Sequence, residues 1–460
     1  MEAGKAVDAY GCVEGNVCEQ ADGTSAYTQD LLGGKPTWVR LPKERWPKEW
    51  IGKYVDPVVP LKLALYGHPD AGGYWERHCE KHICSEGFTK VPDWRSVYWH
   101  KELAVLLIVY VDDFKMSGPK DSVAKAWEKL RKGLVIEDPM PAGKFLGCTI
   151  VLMTHKVQEP FNCLSLTSEG GAEQTTTGKT VKVNMVKYDQ KAFLQQCVAR
   201  YLELAGPNAP PLSRAETPFI DLATKKAIEE DEPEKHKGVL APIASKVLMK
   251  ILYAARVGRF DLLRPVCWLA TKVTKWSKTC DIALHRLVSY INCSLDVACY
   301  GWIGDKWEDL ELVIYADANW AEPPHYTSTS GCFLCLSGKN TFFPLAALSK
   351  KQTAKSHSTP EAEIVSADAA IRTIGMPSLQ LWDTILGRGV RKLTAIFKED
   401  NEVAIRVLNT GKNPTMRHMQ RTHALDLAWL CERFERKDFT IQYCPTRHMS
   451  ADIFTKAFTE

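Results

Sequence analysis

The stretch LLIVYVDDFKMSG, residues 106–118, sets an apolar run directly against two adjacent aspartates, Asp112 and Asp113. The run begins at Leu103, and its apolar and β-branched residues predict a buried strand. Adjacent aspartates often form no more than a polar turn. At the end of a buried strand their charges repel in a medium of low dielectric, and something must offset that repulsion. Divalent cations do so: two ions about 3.5–4 Å apart, held by carboxylates, clamp the attacking and leaving oxygens of phosphoryl transfer. Consecutive strand residues point to opposite faces, so one of the pair is expected to dominate such a site. A third carboxylate must then come from another strand. Asp22 in CEQADGTSAYTQD, residues 18–30, is the candidate, with Tyr27 following it by five residues.

The surrounding composition is that of an ordinary globular chain. Its 460 residues are 45% hydrophobic and 25% charged, enough for two to four domains. The net charge of +4 is too small to mark a nucleic-acid binder by itself, so any basic surface must be local. The longest apolar run, Leu103 to Val111, is half of what a bilayer span needs, and no signal peptide is visible at the N-terminus. No membrane partner is expected. Fifteen cysteines, an odd number, favour reduced thiols and an intracellular setting, cytoplasmic or nuclear. Cys332 and Cys335 fall on opposite faces of an alternating run, which argues against a shared metal.

Three regions separate. Residues 1–155 mix short strands and helices; residues 156–305 carry helical periodicity from Ala244 to about Leu295; residues 308–460 form a mixed α/β unit. Within the middle region, 168–183 reads as an exposed polar loop between two strands and 224–238 as a mobile linker. The helices of the middle region read as a packed bundle without a catalytic role.

The C-terminal region repeats the carboxylate chemistry on another scaffold. Asp317 ends a strand in IYADANWAE, Glu361 and Glu363 open a helix in STPEAEIVSADAAI, Asp400 sits at a strand end in FKEDNEVAI, and Asp452 starts a terminal helix in SADIFTKAF. Four carboxylates at element ends can converge on one two-metal hydrolytic site. Ser358 and Glu361 have capping-box spacing, so Glu361 is assigned to the helix start and Glu363 to the metal. Asp452 could instead serve the dipole of its helix, and Asp317 and Asp400 could be turn residues. Two acid-free stretches flank these carboxylates. One carries Lys339, Lys350, Lys351, Lys355 and His357; the other carries Arg406, Lys412, Arg417, His418, Arg421 and His423. Both suit contact with phosphates.

Taken together, D-x-x-x-A-Y and Y-V-D-D resemble the two metal-binding motifs of reverse transcriptases. LKLALYGHPDAGGYWERH (61–78) resembles the family segment that contacts nucleotide and template, here through Tyr66 and Gly67. KFLGCTI (144–150) resembles the hairpin that grips the primer end, here Phe145, Leu146 and Gly147. YADANWA, STSG, SKKQTAKSHSTPEAE, EDNEVAI and ADIFTKAF, in that order, resemble the ribonuclease H of copia-type LTR retrotransposons.

The resemblance implies an α+β reverse-transcriptase palm with truncated fingers, a helical thumb and connection, and then an α/β ribonuclease H-like domain. It implies that Asp22, Asp112 and Asp113, and separately Asp317, Glu363, Asp400 and Asp452, hold Mg²⁺, with Mn²⁺ as the alternative. Tyr27 is implied to pack under the incoming sugar and reject a 2′-hydroxyl. RNA template, DNA primer, RNA–DNA hybrid and deoxynucleoside triphosphates are the implied partners, and a homodimer is compatible with them.

The chain departs from the family at Pro69, Asp70, Gly72 and Gly73, and at Ala424, where a histidine is expected. Met1 lies 21 residues before Asp22, so the fingers that close over the nucleotide are expected to be missing. Two further expectations follow: a chain that retains only the nuclease, or a catalytically dead relic that still binds nucleic acid.

Overall fold

A computed structural model describes residues 2–161, 178–207, 209–220, 222, 224–322, 326–386 and 393–458. The chain divides into two units, Gly15–Ala142 and Met1–Glu14 with Gly143–Glu460.

In the unit 15–142, the paired aspartates straddle a hairpin. Strands β1 (Asn16–Asp22), β2 (Trp38–Arg40), β3 (Val58–Pro60), β4 (Thr89–Lys90), β5 (Val97–His100), β6 (Val105–Tyr110), β7 (Asp113–Pro119) and β8 (Met140–Pro141) follow in order. Six of them form one sheet in the order β4-β5-β6-β7-β1-β8, and β2 and β3 make a separate ladder. Tyr110 pairs with Asp113, leaving Val111 and Asp112 as a two-residue turn.

Two helices supply this sheet's core, and their spacing explains why. Ala71–Ser85 buries Ala71, Trp75, Cys79 and Ile83, a stripe repeating every fourth residue. Lys120–Leu130 buries Val123, Ala126, Trp127 and Leu130. Both stripes meet Tyr98, Val105, Leu107, Phe114 and Met116 in one apolar cluster.

The other unit is built on a nine-stranded sheet. Its strands are β9 (Lys144–Phe145), β10 (Cys148–Gln158), β11 (Thr180–Asp189), β12 (Cys299–Ile303), β13 (Glu311–Glu322), β14 (Thr327–Gly338), β15 (Thr341–Lys351), β16 (Ala395–Glu399) and β17 (Phe439–Tyr443). The order is β17-β16-β13-β14-β15-β12-β11-β10-β9. β13 runs parallel to β16 and β16 parallel to β17, while β13–β14–β15 is an antiparallel meander. Helix Thr359–Ala370 packs on β13 and β14. Helices Lys191–Ala205, Ala241–Val257, Leu263–Ala270 and Lys278–Cys293 share a core with Val313, Tyr315, Phe333 and Phe454. No described helix is long and apolar enough to cross a membrane.

Several elements differ from the sequence expectation. The stretch 224–238 is not bare linker: Thr224 caps a helix at Lys225–Glu230, its side chain accepting from the Ala227 N–H. Asp231 then pairs with Lys272 at 2.8 Å and accepts from Ser277, so mixed charge here serves buried pairing. Of the polar stretch 168–183, residues 168–177 lie outside the described residues, and Thr180–Val183 belong to β11, paired with His155–Gln158.

The helical periodicity read through CWLATKVTKWSK stops at Ala270 and resumes at Lys278, where the Ser277 hydroxyl caps the next helix. The terminal helix expected at SADIFTKAF is a single 3₁₀ turn, Asp452–Phe454. Arg264 donates to the Thr455 carbonyl at 3.1 Å and the Thr455 hydroxyl donates to Asp317, so tertiary partners take the groups a helix would have used.

Gly331 lies opposite Asp317 in the β13–β14 register. A methyl group there would fall 2.6 Å from Thr455 Cγ2 and 3.0 Å from the Ala451 carbonyl. Gly331→Ala is therefore expected to cost about 1–3 kcal/mol through overpacking, measured as a lower midpoint in chemical denaturation.

Candidate functional site

The C-terminal carboxylates assemble because three elements end at one place. Asp317 lies in β13, which is paired on both sides and buried, leaving its carboxyl 2% exposed. On helix Thr359–Ala370 the Ser366 hydroxyl reaches the carbonyls of Asp317 at 2.7 Å and Gly331 at 3.2 Å, which fixes the helix over the strands. Glu363 lies three residues earlier on the same helix face and is 3% exposed. Asp400 follows the end of β16, the parallel neighbour of β13, and accepts from the Thr446 hydroxyl at 2.8 Å. Carboxylate oxygens of Asp317, Glu363 and Asp400 lie within 4.8 Å of one another.

That gathering strains the charge balance. Burial, opposed by the Thr455 hydroxyl and reinforced by the Asp452 charge, pushes Asp317 up to about 6. Burial, with the charges of Glu399, Asp317 and Asp400, raises Glu363 far above the usual carboxylate range. Asp452 is also raised, by burial first, although its ion pair with Lys456 at 2.7 Å opposes this.

Glu363 Oε2 and Asp452 Oδ1 are buried without a hydrogen-bond partner among the described residues. An orphaned oxygen on Glu363, within a group of three converging carboxylates, fits a hard divalent cation. Asp452 stands beside the group through its effect on Asp317 but is not one of the three oxygens that converge.

Glu399 was missed in the sequence. It is fully buried, its Oε1 accepts from the Asn401 N–H at 3.1 Å, and its Oε2 has no partner among the described residues. Burial raises its carboxyl well above the ordinary range. The alternation Ala395, Phe397, Glu399 in β16 was the available signal, since it places Glu399 on the core face.

Lys350, Lys351, Lys355, Arg417 and Arg421 are all exposed, as contact with phosphates requires. His423 is a correction: its side chain is 2% exposed and its Nε2 lies 2.9 Å from Glu361, so it points inward. Glu361 does more than close a capping box. The Ser358 hydroxyl accepts from its N–H, but its carboxylate accepts from His357 N–H, one residue before the box position, and also meets His418 and His423. Cys332 and Cys335 are both buried.

The N-terminal carboxylates assemble by register. Asp22 ends β1 directly opposite Asp113 in β7, and the Gly23 N–H donates to the Asp112 carbonyl at 2.6 Å. Burial, then the charges of Asp22 and Asp112, pushes Asp113 up to about 6. Asp22 itself is exposed and Asp112 half-buried. Val111 adopts a φ of 60°, unfavourable for a β-branched residue. The Trp75 indole N–H donates to its carbonyl at 2.5 Å and holds the turn, a role that the sequence did not reveal.

Tyr27 lies in the 3₁₀ turn Ala26–Gln29 and stacks on Tyr66, ring centroids 4.4 Å apart. Gly67 follows with a φ of 94°. Phe145, Leu146 and Gly147 belong to the other unit, where Leu146 and Gly147, both at positive φ, form the turn between β9 and β10.

No family model matches the chain. Among curated proteins, the transposon Ty1-JR2 and Ty1-NL1 Gag-Pol polyproteins of Saccharomyces cerevisiae are each 22% identical to it over 412 residues, 87% of this chain. The chain spans 21% of their length. Among solved structures, the foamy viral protease-reverse transcriptase in complex with RNA/DNA hybrid is 11% identical, with a TM-score of 0.42, covering 93% of this chain and 44% of that one. LC11-RNase H1, isolated from compost, is 16% identical with a TM-score of 0.22, covering 32% of this chain and 92% of that one.

In metal-free protein, Asp317 at about 6 against an ordinary 3.8 means that the folded state holds this proton more tightly than the unfolded chain. Its stabilisation, roughly 3 kcal/mol at most, is complete below the ordinary value and lost as pH rises through about 6. Unfolding free energy measured in EDTA is expected to fall across that window. Asp317→Asn should flatten the fall, and Mg²⁺ should reverse it by favouring the anion.

Proposed function

We propose that the chain belongs with the polyproteins of copia-type LTR retrotransposons and is an RNA-directed DNA polymerase with ribonuclease H activity. Residues 1–155 serve as the palm, 156–305 as thumb and connection, and 308–460 as the nuclease. The observation that carries the reading is the buried group of Asp317, Glu363 and Asp400, with oxygens within 4.8 Å and Glu363 Oε2 unpartnered among the described residues.

In the nuclease, Asp317, Glu363 and Asp400, with Asp452 beside them, hold Mg²⁺. When bound, the cations supply a water nucleophile at neutral pH and neutralise charge at the phosphate of the RNA strand. The chain's own residues do the rest. Ser366 and Thr455 hold Asp317 in place, Thr446 orients Asp400, and the exposed Lys350, Lys351, Lys355, Arg417 and Arg421 take the hybrid's backbone phosphates. The 2′-hydroxyls of the hybrid identify the strand to be cut.

In the polymerase, Asp22, Asp112 and Asp113 would hold the cations, which would neutralise charge while a primer 3′-oxygen bonds to the α-phosphorus of a deoxynucleoside triphosphate and pyrophosphate leaves. Tyr27, backed by Tyr66, supports the sugar and excludes a 2′-hydroxyl. The contrast in burial favours a second reading in which hybrid cleavage is the only activity: Asp317 and Glu363 are buried, whereas Asp22 is exposed.

Primer extension and hybrid cleavage measured on one preparation test both readings. Asp317→Asn is expected to lower Mg²⁺-dependent cleavage by at least about 100-fold and leave extension in place. Asp113→Asn should do the opposite. Wild-type cleavage without extension selects the second reading, and absence of both activities overturns the proposal.

A further inference from the structure

Glu361 is a buried acid that the proposed nuclease chemistry does not use. It is 2% exposed, and its two oxygens take three donors from two parts of the chain. His357 N–H donates to Oε2 at 3.1 Å; His418 Nε2 lies 3.3 Å and His423 Nε2 2.9 Å from Oε1. The rings of His357 and His418 also meet edge to face, with centroids 5.3 Å apart.

The two histidines belong to one segment. It contains the 3₁₀ turn Pro414–Met416 and the short helix Met419–Thr422, and Met416, Met419 and Leu425 anchor its inner side. Ala424, at a φ of 53°, turns the chain so that Leu425 is buried and His423 faces Glu361. The outer side carries Arg417 and Arg421, four residues apart and exposed, neither with an ion-pair partner among the described residues. Glu361, on the adjoining helix, is taken up by the two histidines of this segment.

We propose that His418 and His423 clamp Glu361 so as to hold Arg417 and Arg421 in register with the phosphate backbone of an RNA–DNA hybrid. Glu361 and His423 are then positioning residues for hybrid binding, tied to the helix that carries Glu363. The inference rests on the nuclease reading for its ligand class, but its test does not need cleavage.

Binding of a labelled RNA–DNA hybrid to the full chain in EDTA, at several salt concentrations, reads the clamp directly. His423→Ala and Glu361→Ala are expected to weaken binding about five- to twenty-fold and make its salt dependence shallower by about one to two phosphate contacts. Arg417→Ala with Arg421→Ala should do the same. Combining these arginine changes with His423→Ala should add little further loss, because the clamp acts through the arginines. His423→Gln keeps an N–H donor and should stay within about two-fold of wild type. Where His423→Ala lowers the melting temperature, the His423→Gln and arginine variants carry the comparison.

Additive losses overturn the clamp, as do arginine variants that bind like wild type or a wild-type chain that binds no hybrid. Hybrid binding that follows the expected pattern without Mg²⁺-dependent cleavage supports the clamp and removes the nuclease reading. Cleavage by wild type with unchanged binding by the clamp variants removes the clamp alone.

Discussion

Carboxylates brought together out of water repel, and the C-terminal half of this protein is organised around holding five of them in place. Asp317, Glu363 and Glu399 are buried, Asp400 sits at a strand end, and Asp452 buries an oxygen that has no partner among the described residues. No single element could impose this. The parallel pair β13–β16 sets Asp317 beside Asp400, Ser366 fixes the helix that carries Glu363, and the C-terminal turn is drawn in by Arg264 and Thr455. Without cations, burial first and the neighbouring carboxylates second hold the protons of Asp317 and Glu363 above the ordinary range. Divalent metal would offer the other relief, and the convergence that makes the metal-free site costly is what a ligand set would need.

The N-terminal centre meets the same constraint with less burial. A cross-strand register, not a helix, places Asp22 against Asp113, and a two-residue turn presents Asp112. The turn places Val111 in a conformation that costs about 1–3 kcal/mol for a β-branched side chain. Trp75 holds it there from the helix Ala71–Ser85, whose own stripe of apolar residues buries it in the core of the unit. Strain at the carboxylates is thus supported by packing one helix away.

Glu361 is the counterpart to these repelling acids. Three donors satisfy it, and it links the helix bearing Glu363 to the segment bearing Arg417 and Arg421. One residue separates it from Glu363 in sequence, yet the two carboxylates live in opposite electrostatic environments. Partners, not residue type, set that difference.

Local patterns pointed to Asp112 and Asp113 and to the candidate acids Asp317, Glu363, Asp400 and Asp452, but not to Glu399. An apolar run ending in Asp112 and Asp113, the capping serine at 358 and the helix that Glu361 and Glu363 open all follow from spacing and capping chemistry, which act over a few residues. What spacing could not supply was the partner across the fold. The inward turn of His423 depends on the φ of Ala424 and on an acid 62 residues away. Loss of the terminal helix depends on Arg264, 191 residues from Thr455. Glu399 and the role of Trp75 are decided in the same way, by burial and by a backbone carbonyl on another element. Periodicity encodes which face is buried; it does not encode what waits on the other side, because long-range pairing is fixed only when the sheets and helices close on one another.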